Sequence, residues 1–77
     1  MQAPRPGLLK TYDSEAVWQA GYDAAEGVMY VRFSEGDLYG YQGVPKAVFE
    51  AFEAAPSKGR QFNETVYGIY PYEKIEE

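Results

Sequence analysis

The chain has 77 residues, no cysteine, no histidine and a formal net charge of −5, from seven basic and twelve acidic residues. These counts exclude disulfides, thiolate zinc sites and catalysis by Cys-His or Ser-His arrangements. The negative charge also opposes binding of long nucleic acids, because that binding depends on neutralising phosphates. Eight of the residues are tyrosines, an amphipathic contact residue, which is more than a small core requires.

The N-terminal residues 1–13 contain two prolines and a glycine and show no hydrophobic periodicity. This predicts a flexible lead-in, with residues 10–12 able to dock, before a single domain over residues 14–75. No apolar run is long enough for a signal peptide or a membrane span, which predicts a cytoplasmic protein without membrane contact.

The next segment predicts three antiparallel strands. Residues 16–22 form a first strand, and residues 28–42 form a hairpin around a turn at 34–37. If Phe33 pairs with Leu38, these two residues and Val31 make an aliphatic face. The opposite, tyrosine face then carries Trp18, Tyr22, Tyr30, Arg32, Tyr39 and Tyr41. A one-residue slip in the loop 23–27 would invert the assignment of the first strand.

The second half predicts two helices. Pro45 suits a first helical turn, and residues 46–55 place Phe49 and Phe52 on one apolar stripe. Ser57 is an N-cap for a second helix to about residue 66, followed by an extended segment at 70–72 and a frayed acidic tail at 73–77. The predicted fold class is α+β: a three-stranded antiparallel β-meander followed by two α-helices packed on one face, β-β-β-α-α.

One candidate binding site is the start of the second helix. A helix N-terminus attracts anions, and Lys58, Arg60 and Asn63 follow the cap, which predicts a phosphate site. The alternative is that the two cations are simply exposed and that Gly59 is needed for a backbone turn.

The other candidate site is the tyrosine face, because both helices are expected on the aliphatic face. Tyr39 and Tyr41 would stack on a ligand, and Arg32 would add a cation. Two alternatives remain open for this face: contact with a second copy of the chain, or burial under residues 67–72.

Catalytic chemistry has no support in the sequence. The acidic residues lie at turns, strand ends and exposed helix positions, and no glycine-rich phosphate loop precedes a helix. We therefore predict a non-enzymatic protein that needs neither cofactor nor metal.

Several motifs together resemble the KTSC domain family. They occur in the order Tyr39-Gly40-Tyr41, Val44-Pro45, Ser57-Lys58-Gly59 with Phe62-Asn63, and Tyr70-Pro71-Tyr72, within a resemblance that covers residues 14–75. The family is named for the C-terminus of some lysyl-tRNA synthetases and also occurs as free-standing proteins. The resemblance implies RNA binding as the suggested function and attaches no catalytic residues.

Three functions are compatible with these observations. The first is binding, and possible sequestration, of a small nucleotide-type ligand such as a mononucleotide or cyclic oligonucleotide, because a compact ligand needs only local cations. The second is binding of short RNA, as the resemblance implies. The third is a protein-interaction or homo-oligomeric module that uses the tyrosine face.

Overall fold

Residues 3–77, which the computed structural model describes, form a five-stranded antiparallel sheet and two helices. The strands are β1 (Lys10–Thr11), β2 (Val17–Asp23), β3 (Val28–Phe33), β4 (Leu38–Gln42) and β5 (Tyr72–Lys74). Helices α1 (Lys46–Ala54) and α2 (Lys58–Thr65) connect β4 to β5, and the strands lie in the sheet in chain order. The predicted α+β class, with a meander followed by two helices, is confirmed.

The two edge strands are additions to the predicted meander. β1 pairs with β2, and β5 pairs with β4 after the helices. These strands have two and three residues, which is too short for an alternating pattern to be recognised. Residues 8–12 of the predicted lead-in therefore lie against the sheet, whereas Met1 and Gln2 lie outside the described residues.

The register of the central hairpin differs by one residue from the prediction. Arg32 pairs with Leu38, and the Phe33 N–H donates to the Asp37 carbonyl at 3.0 Å. The turn is closed by a 2.9 Å hydrogen bond from the Gly36 N–H to the Phe33 carbonyl, and Gly36 has a φ of +106°. A short loop ending in a glycine with positive φ is common in hairpins, so the predicted pairing of Phe33 with Leu38 was wrong.

This difference moves Tyr39 and Tyr41 to the other side of the sheet. Tyr39 lies opposite Val31 and packs with Tyr41 on the side covered by both helices, which we call the helix face. Tyr30 and Arg32 lie on the opposite side, which we call the terminal face. The predicted separation into an aliphatic face under the helices and an uncovered tyrosine face was therefore wrong.

Strand β2 shows the same shift. Tyr22 pairs with Met29, and its ring stacks on Phe49 of α1 with a centroid distance of 5.5 Å, on the helix face. A bulge at Trp18 interrupts the pairing with β3 and leaves that side chain 46% exposed. The Trp18 ring lies 5.7 Å from the guanidinium carbon of Arg32, as expected for neighbours on the terminal face.

Both helices form where the sequence predicts them. α1 buries Phe49 and Phe52, whereas α2 buries Phe62. The Ser57 side chain caps α2 by accepting a hydrogen bond from a backbone N–H at 3.3 Å. The buried core on the helix face consists of Val17, Ala20, Met29, Val31, Tyr41, Val44, Phe49, Phe52, Phe62 and Val66.

The terminal face is covered by the two ends of the chain. Ile75 near the C-terminus is 3% exposed and shares a cluster with Tyr30, against which Leu8 and Leu9 pack. Gly21 permits this approach, because a methyl group there would collide with the Leu8 carbonyl. The frayed tail predicted over residues 73–77 was wrong, since it contributes a strand and a buried side chain.

Candidate functional site

A small surface pocket lies at the border of the helix face, between α2 and the edge strand β5. Its volume is about 290 Å³, which is near the lower end of about 300–1,000 Å³ for small-molecule sites. Strands β3, β4 and β5, the hairpin turn and the segment after α2 each contribute side chains. We call it the tyrosine pocket; its lining residues are Phe33, Glu35, Tyr39, Tyr41, Tyr67 and Tyr72.

The rings of this pocket are held by contacts with one another. Tyr72 lies 5.7 Å from Tyr39 and 5.4 Å from Tyr41, measured between ring centroids. Phe62 of α2 lies 5.1 Å from Tyr41 and 6.3 Å from Tyr67, and it is almost fully buried. Phe62 thus joins the helix core to the pocket, so the pocket is supported by the fold.

Exposure differs sharply among the tyrosines. Tyr67 and Tyr72 are 59% and 54% exposed, whereas Tyr41 is 2% exposed. Within residues 3–77, no buried side-chain oxygen or nitrogen lacks a hydrogen-bond partner. Because the Tyr41 hydroxyl has no protein partner among these residues, its oxygen must reach solvent.

The ionisation of Tyr41 also reflects its surroundings. Burial is the largest cause that raises the pKa of Tyr41 to about 12, and the neighbouring phenols of Tyr72, Tyr39 and Tyr67 raise it further. The Tyr41 phenol therefore stays protonated at neutral pH and can donate a hydrogen bond to a ligand.

The charged groups at the pocket differ in whether they have a partner within the described part of the chain. Glu35 lies in the hairpin turn, is exposed, and has no hydrogen bond or ion pair within the described part of the chain. Lys74 lies opposite Tyr39 in the sheet, and its Nζ is 3.7 Å from an Asp37 oxygen. The pocket mouth thus has one free carboxylate and one nearby exposed cation.

The predicted phosphate site forms part of a separate groove, with a volume of about 790 Å³, between residues 12–16 and 56–64. We call it the α2 groove. The Lys58 Nζ donates to the Ala55 carbonyl at 2.6 Å, and Arg60 forms an exposed ion pair with Glu64 at 3.3 Å. Both cations therefore have partners within the chain, and Asn63 is an exposed lining residue.

The acidic residues of the α2 groove weaken it further as an anion site. Asp13 and Glu15 belong to its lining, so with Glu64 it carries more acidic than basic side chains.

Gly59 has no positive φ; instead, a methyl group there would come 2.9 Å from the Ala16 Cβ. Its small size therefore serves helix packing, and the backbone turn considered from the sequence is not its role.

Arg32, the third predicted element of the site, belongs to the terminal face. Its two terminal nitrogens each lie 2.6 Å from an oxygen of Glu77, and it also donates to the Gly36 carbonyl at 2.7 Å. The Nε donates to Gln19 at 2.9 Å. The bonds between Arg32 and Glu77 lower the pKa of the Glu77 carboxyl and hold the C-terminus against the sheet.

The structure separates the predicted site residues into three places. Tyr39 and Tyr41 are in the tyrosine pocket, Lys58, Arg60 and Asn63 are in the α2 groove, and Arg32 is on the opposite face. Four other residues that line the pocket were not predicted from the sequence as site residues: Phe33, Glu35, Tyr67 and Tyr72. The possibility that residues 67–72 cover the other tyrosines was the only indication of this arrangement.

Residues 3–77 contain neither a metal-binding cluster nor a membrane-spanning helix. Within residues 3–77, no group of three or more His, Cys, Asp or Glu side chains is arranged to hold a metal ion. No helix of the same residues has the length and apolar character needed to cross a membrane.

Fold and pocket together define a small α+β domain with an aromatic surface pocket at one sheet edge. The chain belongs to the KTSC domain family, whose pattern matches residues 13–70. This confirms the family resemblance seen in the sequence. A solved KTSC domain protein from Yersinia pestis superposes with a TM-score of 0.83 at 30% identity, covering 88% of this chain and 96% of that one.

Similar sequences occur both as short proteins and within a longer enzyme. A protein from Tsukamurella paurometabola is 42% identical over 55 residues, which cover 71% of this chain and 82% of the relative. A lysine–tRNA ligase from Nostoc punctiforme is 32% identical over 68 residues, which cover 88% of this chain and only 12% of the ligase. The chain therefore spans about one eighth of that relative.

Proposed function

We propose that the protein binds a small nucleotide-type ligand without transforming it, and that the base of this ligand stacks in the tyrosine pocket. The observation that carries the proposal is the convergence of four tyrosines from three parts of the chain, of which Tyr67 and Tyr72 remain more than half exposed. Stacking of a base on an aromatic side chain contributes roughly 1–3 kcal/mol, and every base offers a face for it.

Size and charge favour a compact ligand over a polymer. A pocket of about 290 Å³ has room for one base, and a net charge of −5 repels a long polyanion. Lys74 is exposed beside the pocket and is placed to attract a single phosphate. Binding without chemistry suits sequestration of a nucleotide signal.

A larger ligand, such as a cyclic oligonucleotide, would also reach the α2 groove. The groove is lined by residues of α2, an eight-residue helix about 12 Å long, and Tyr67 of the pocket follows the end of that helix. Lys58, Arg60 and Asn63 would then meet a second phosphate, after Arg60 exchanges its Glu64 partner for the ligand.

Calorimetric titration with nucleoside monophosphates tests the stacking proposal. Tyr72→Ala removes a half-exposed ring from the pocket, and we expect roughly 5- to 150-fold weaker binding, the equivalent of 1–3 kcal/mol. Trp18→Ala is the matched control, because it removes an exposed aromatic ring from the terminal face.

Two outcomes would contradict this proposal. One is the absence of heat with any nucleoside monophosphate at millimolar concentration. The other is an equal loss of affinity in Tyr72→Ala and Trp18→Ala, which would mean that the ligand is not recognised by the tyrosine pocket.

Short RNA is a second candidate ligand, and the relationship to lysine–tRNA ligases favours it. Single-stranded RNA also stacks on aromatic side chains, so the same pocket would serve. RNA binding should weaken steeply as salt increases, because each neutralised phosphate releases counterions. A monophosphate, with one phosphate contact, should show a much shallower salt dependence.

Self-association is the third candidate for this surface. Tyr67, Ile69 and Tyr72 are each more than half exposed in the same C-terminal region, and β5 is an open sheet edge. Sedimentation at several concentrations tests it: a mass that rises with concentration, and falls in Tyr67→Ala, would assign the surface to an interface between copies.

A further inference from the structure

We infer that the tyrosine pocket selects guanine over adenine because the Glu35 carboxylate lies at its mouth. This inference rests on the proposed stacking of a base among the tyrosines and adds the identity of that base. The selectivity depends on what the Glu35 carboxylate can accept and on which base edges can donate to it.

Glu35 is placed for recognition and not for folding. It occupies the three-residue turn 34–36 between β3 and β4, where Gly36 supplies the positive φ. Among the described lining residues of the tyrosine pocket, Glu35 is the one with a charged side chain. Its carboxylate forms no hydrogen bond or ion pair inside residues 3–77, so its oxygens are available to a ligand.

The neighbouring acidic residue differs in this respect. Asp37 follows the turn and lies 3.7 Å from the Lys74 Nζ, which partly neutralises it. The negative charge without a partner at the pocket is therefore that of Glu35, and Lys74 would meet a phosphate by exchanging its Asp37 partner for the ligand.

Guanine is the base whose edge matches a carboxylate. An ionised carboxylate only accepts hydrogen bonds, through two oxygens. Guanine presents two adjacent donors, the ring N1–H and the exocyclic amine, whereas adenine presents one amine beside an unprotonated ring nitrogen that repels the charge. Cytosine has the same mismatch as adenine, and uracil offers a single N–H between two carbonyls.

The phenols complete the recognition of this edge. Guanine carries a carbonyl oxygen next to N1–H, and a protonated phenol can donate to it. The Tyr41 hydroxyl has no protein partner within residues 3–77 and reaches solvent at the pocket. Adenine has an amine at that position, which cannot accept the phenol proton.

Calorimetric titration of the full chain with GMP, IMP and AMP tests the inference. The three ligands share ribose and phosphate, so differences in affinity report on the base edge. We expect GMP to bind about 10-fold more tightly than AMP, because two hydrogen bonds to a charged acceptor replace a repulsive contact. IMP keeps N1–H but lacks the amine, so it should fall between them.

Glu35→Gln should reduce the preference for GMP over AMP to the part contributed by the Tyr41 phenol, because an amide offers a donor as well as an acceptor. Glu50→Gln is the matched control: it makes the same charge change at an exposed position of α1 and should keep the preference.

Each result supports or overturns a defined step. Equal affinities of the unaltered protein for GMP and AMP would overturn the guanine inference and leave base stacking intact. A preference for GMP that is undiminished in Glu35→Gln would overturn the role of Glu35. Binding of tetramethylammonium but of none of the three nucleotides would make the pocket a cation site, and both proposals would fail.

Discussion

The two faces of the sheet are covered in different ways. The helix face is covered by α1 and α2 and is rich in aromatic rings, some of which emerge in the tyrosine pocket. No helix of residues 3–77 lies on the terminal face: Leu8, Leu9 and Ile75 cover it, and Arg32 of β3 binds Glu77 there.

This difference shows that a polar or aromatic side chain does not by itself mark an open face. Arg32, an apparent binding residue, is an internal clamp with a side chain 14% exposed. Tyr39 and Tyr41 lie in the more heavily covered layer, yet they contribute to the surface that remains available for binding. The proposed binding surface is thus an extension of the core, supported by Phe62.

The largest expected effect comes from removing the link between core and pocket. Phe62→Ala should lower the free energy of unfolding by about 3–5 kcal/mol, as for other buried aromatic residues, because its ring contacts Phe33, Tyr41 and Tyr67. Urea denaturation measures this. Tyr67→Ala, at an exposed position, should change stability by about 0.5 kcal/mol or less, and a loss below 1 kcal/mol in Phe62→Ala would contradict the supporting role of that ring.

A smaller effect is expected on the terminal face. Arg32→Leu should cost about 1–3 kcal/mol of stability, the typical value for hydrogen bonds made by a charged group, without changing the affinity for GMP. Arg60→Leu is the control, because Arg60 has a similar but exposed ion pair worth at most about 0.5 kcal/mol. If Arg32→Leu abolished binding at unchanged stability, Arg32 would be a ligand residue after all.

The ion pair between Arg32 and Glu77 should contribute less to stability in acid. The bond to Arg32 lowers the pKa of the Glu77 carboxyl from its ordinary value of 4.5, so its contribution to stability is present above pH 4.5. That contribution disappears as the pH falls through the lowered pKa. The stability difference between Arg32→Leu and the unaltered protein should therefore narrow in acid.

The smallest expected effect concerns Tyr41 at high pH. Its pKa is raised to about 12 from 10, so folding favours the protonated phenol. This contribution is present below pH 10 and is lost as the pH rises towards 12, because the unfolded chain then releases the proton more readily. In thermal melts, the Tm of the unaltered protein should fall over this pH range by a few degrees more than the Tm of Tyr41→Phe. Identical pH profiles for the two proteins would contradict the burial of the Tyr41 phenol.

The sequence predicted the helices and the order of the central strands well. Pro45, Ser57 and the spacing of Phe49 and Phe52 determine where the helices begin and which sides they bury. The strand register was harder, because a single residue in the turn reverses the side on which every side chain lies. The positive φ of Gly36 decides that register, and the sequence does not show whether the loop has three residues or four.

The candidate site could be predicted only in part for the same reason. Tyr39 and Tyr41 were assigned to the site because the predicted register put them on an uncovered face, and that register was wrong. Their partners Tyr67 and Tyr72 come from a segment without periodicity. The position of Glu35 depends on the turn geometry. Lys58 and Arg60 follow a genuine helix cap, yet their intramolecular partners are visible only in three dimensions.

Nuclear magnetic resonance with GMP tests the central claim most directly, because it compares the tyrosine pocket with the other two regions in one measurement. We expect the largest chemical-shift changes at the rings of Tyr39, Tyr67 and Tyr72, and little change at the Trp18 indole on the terminal face. Changes concentrated at Trp18 and Arg32, or confined to residues 57–63 of the α2 groove, would contradict the assignment of the binding surface.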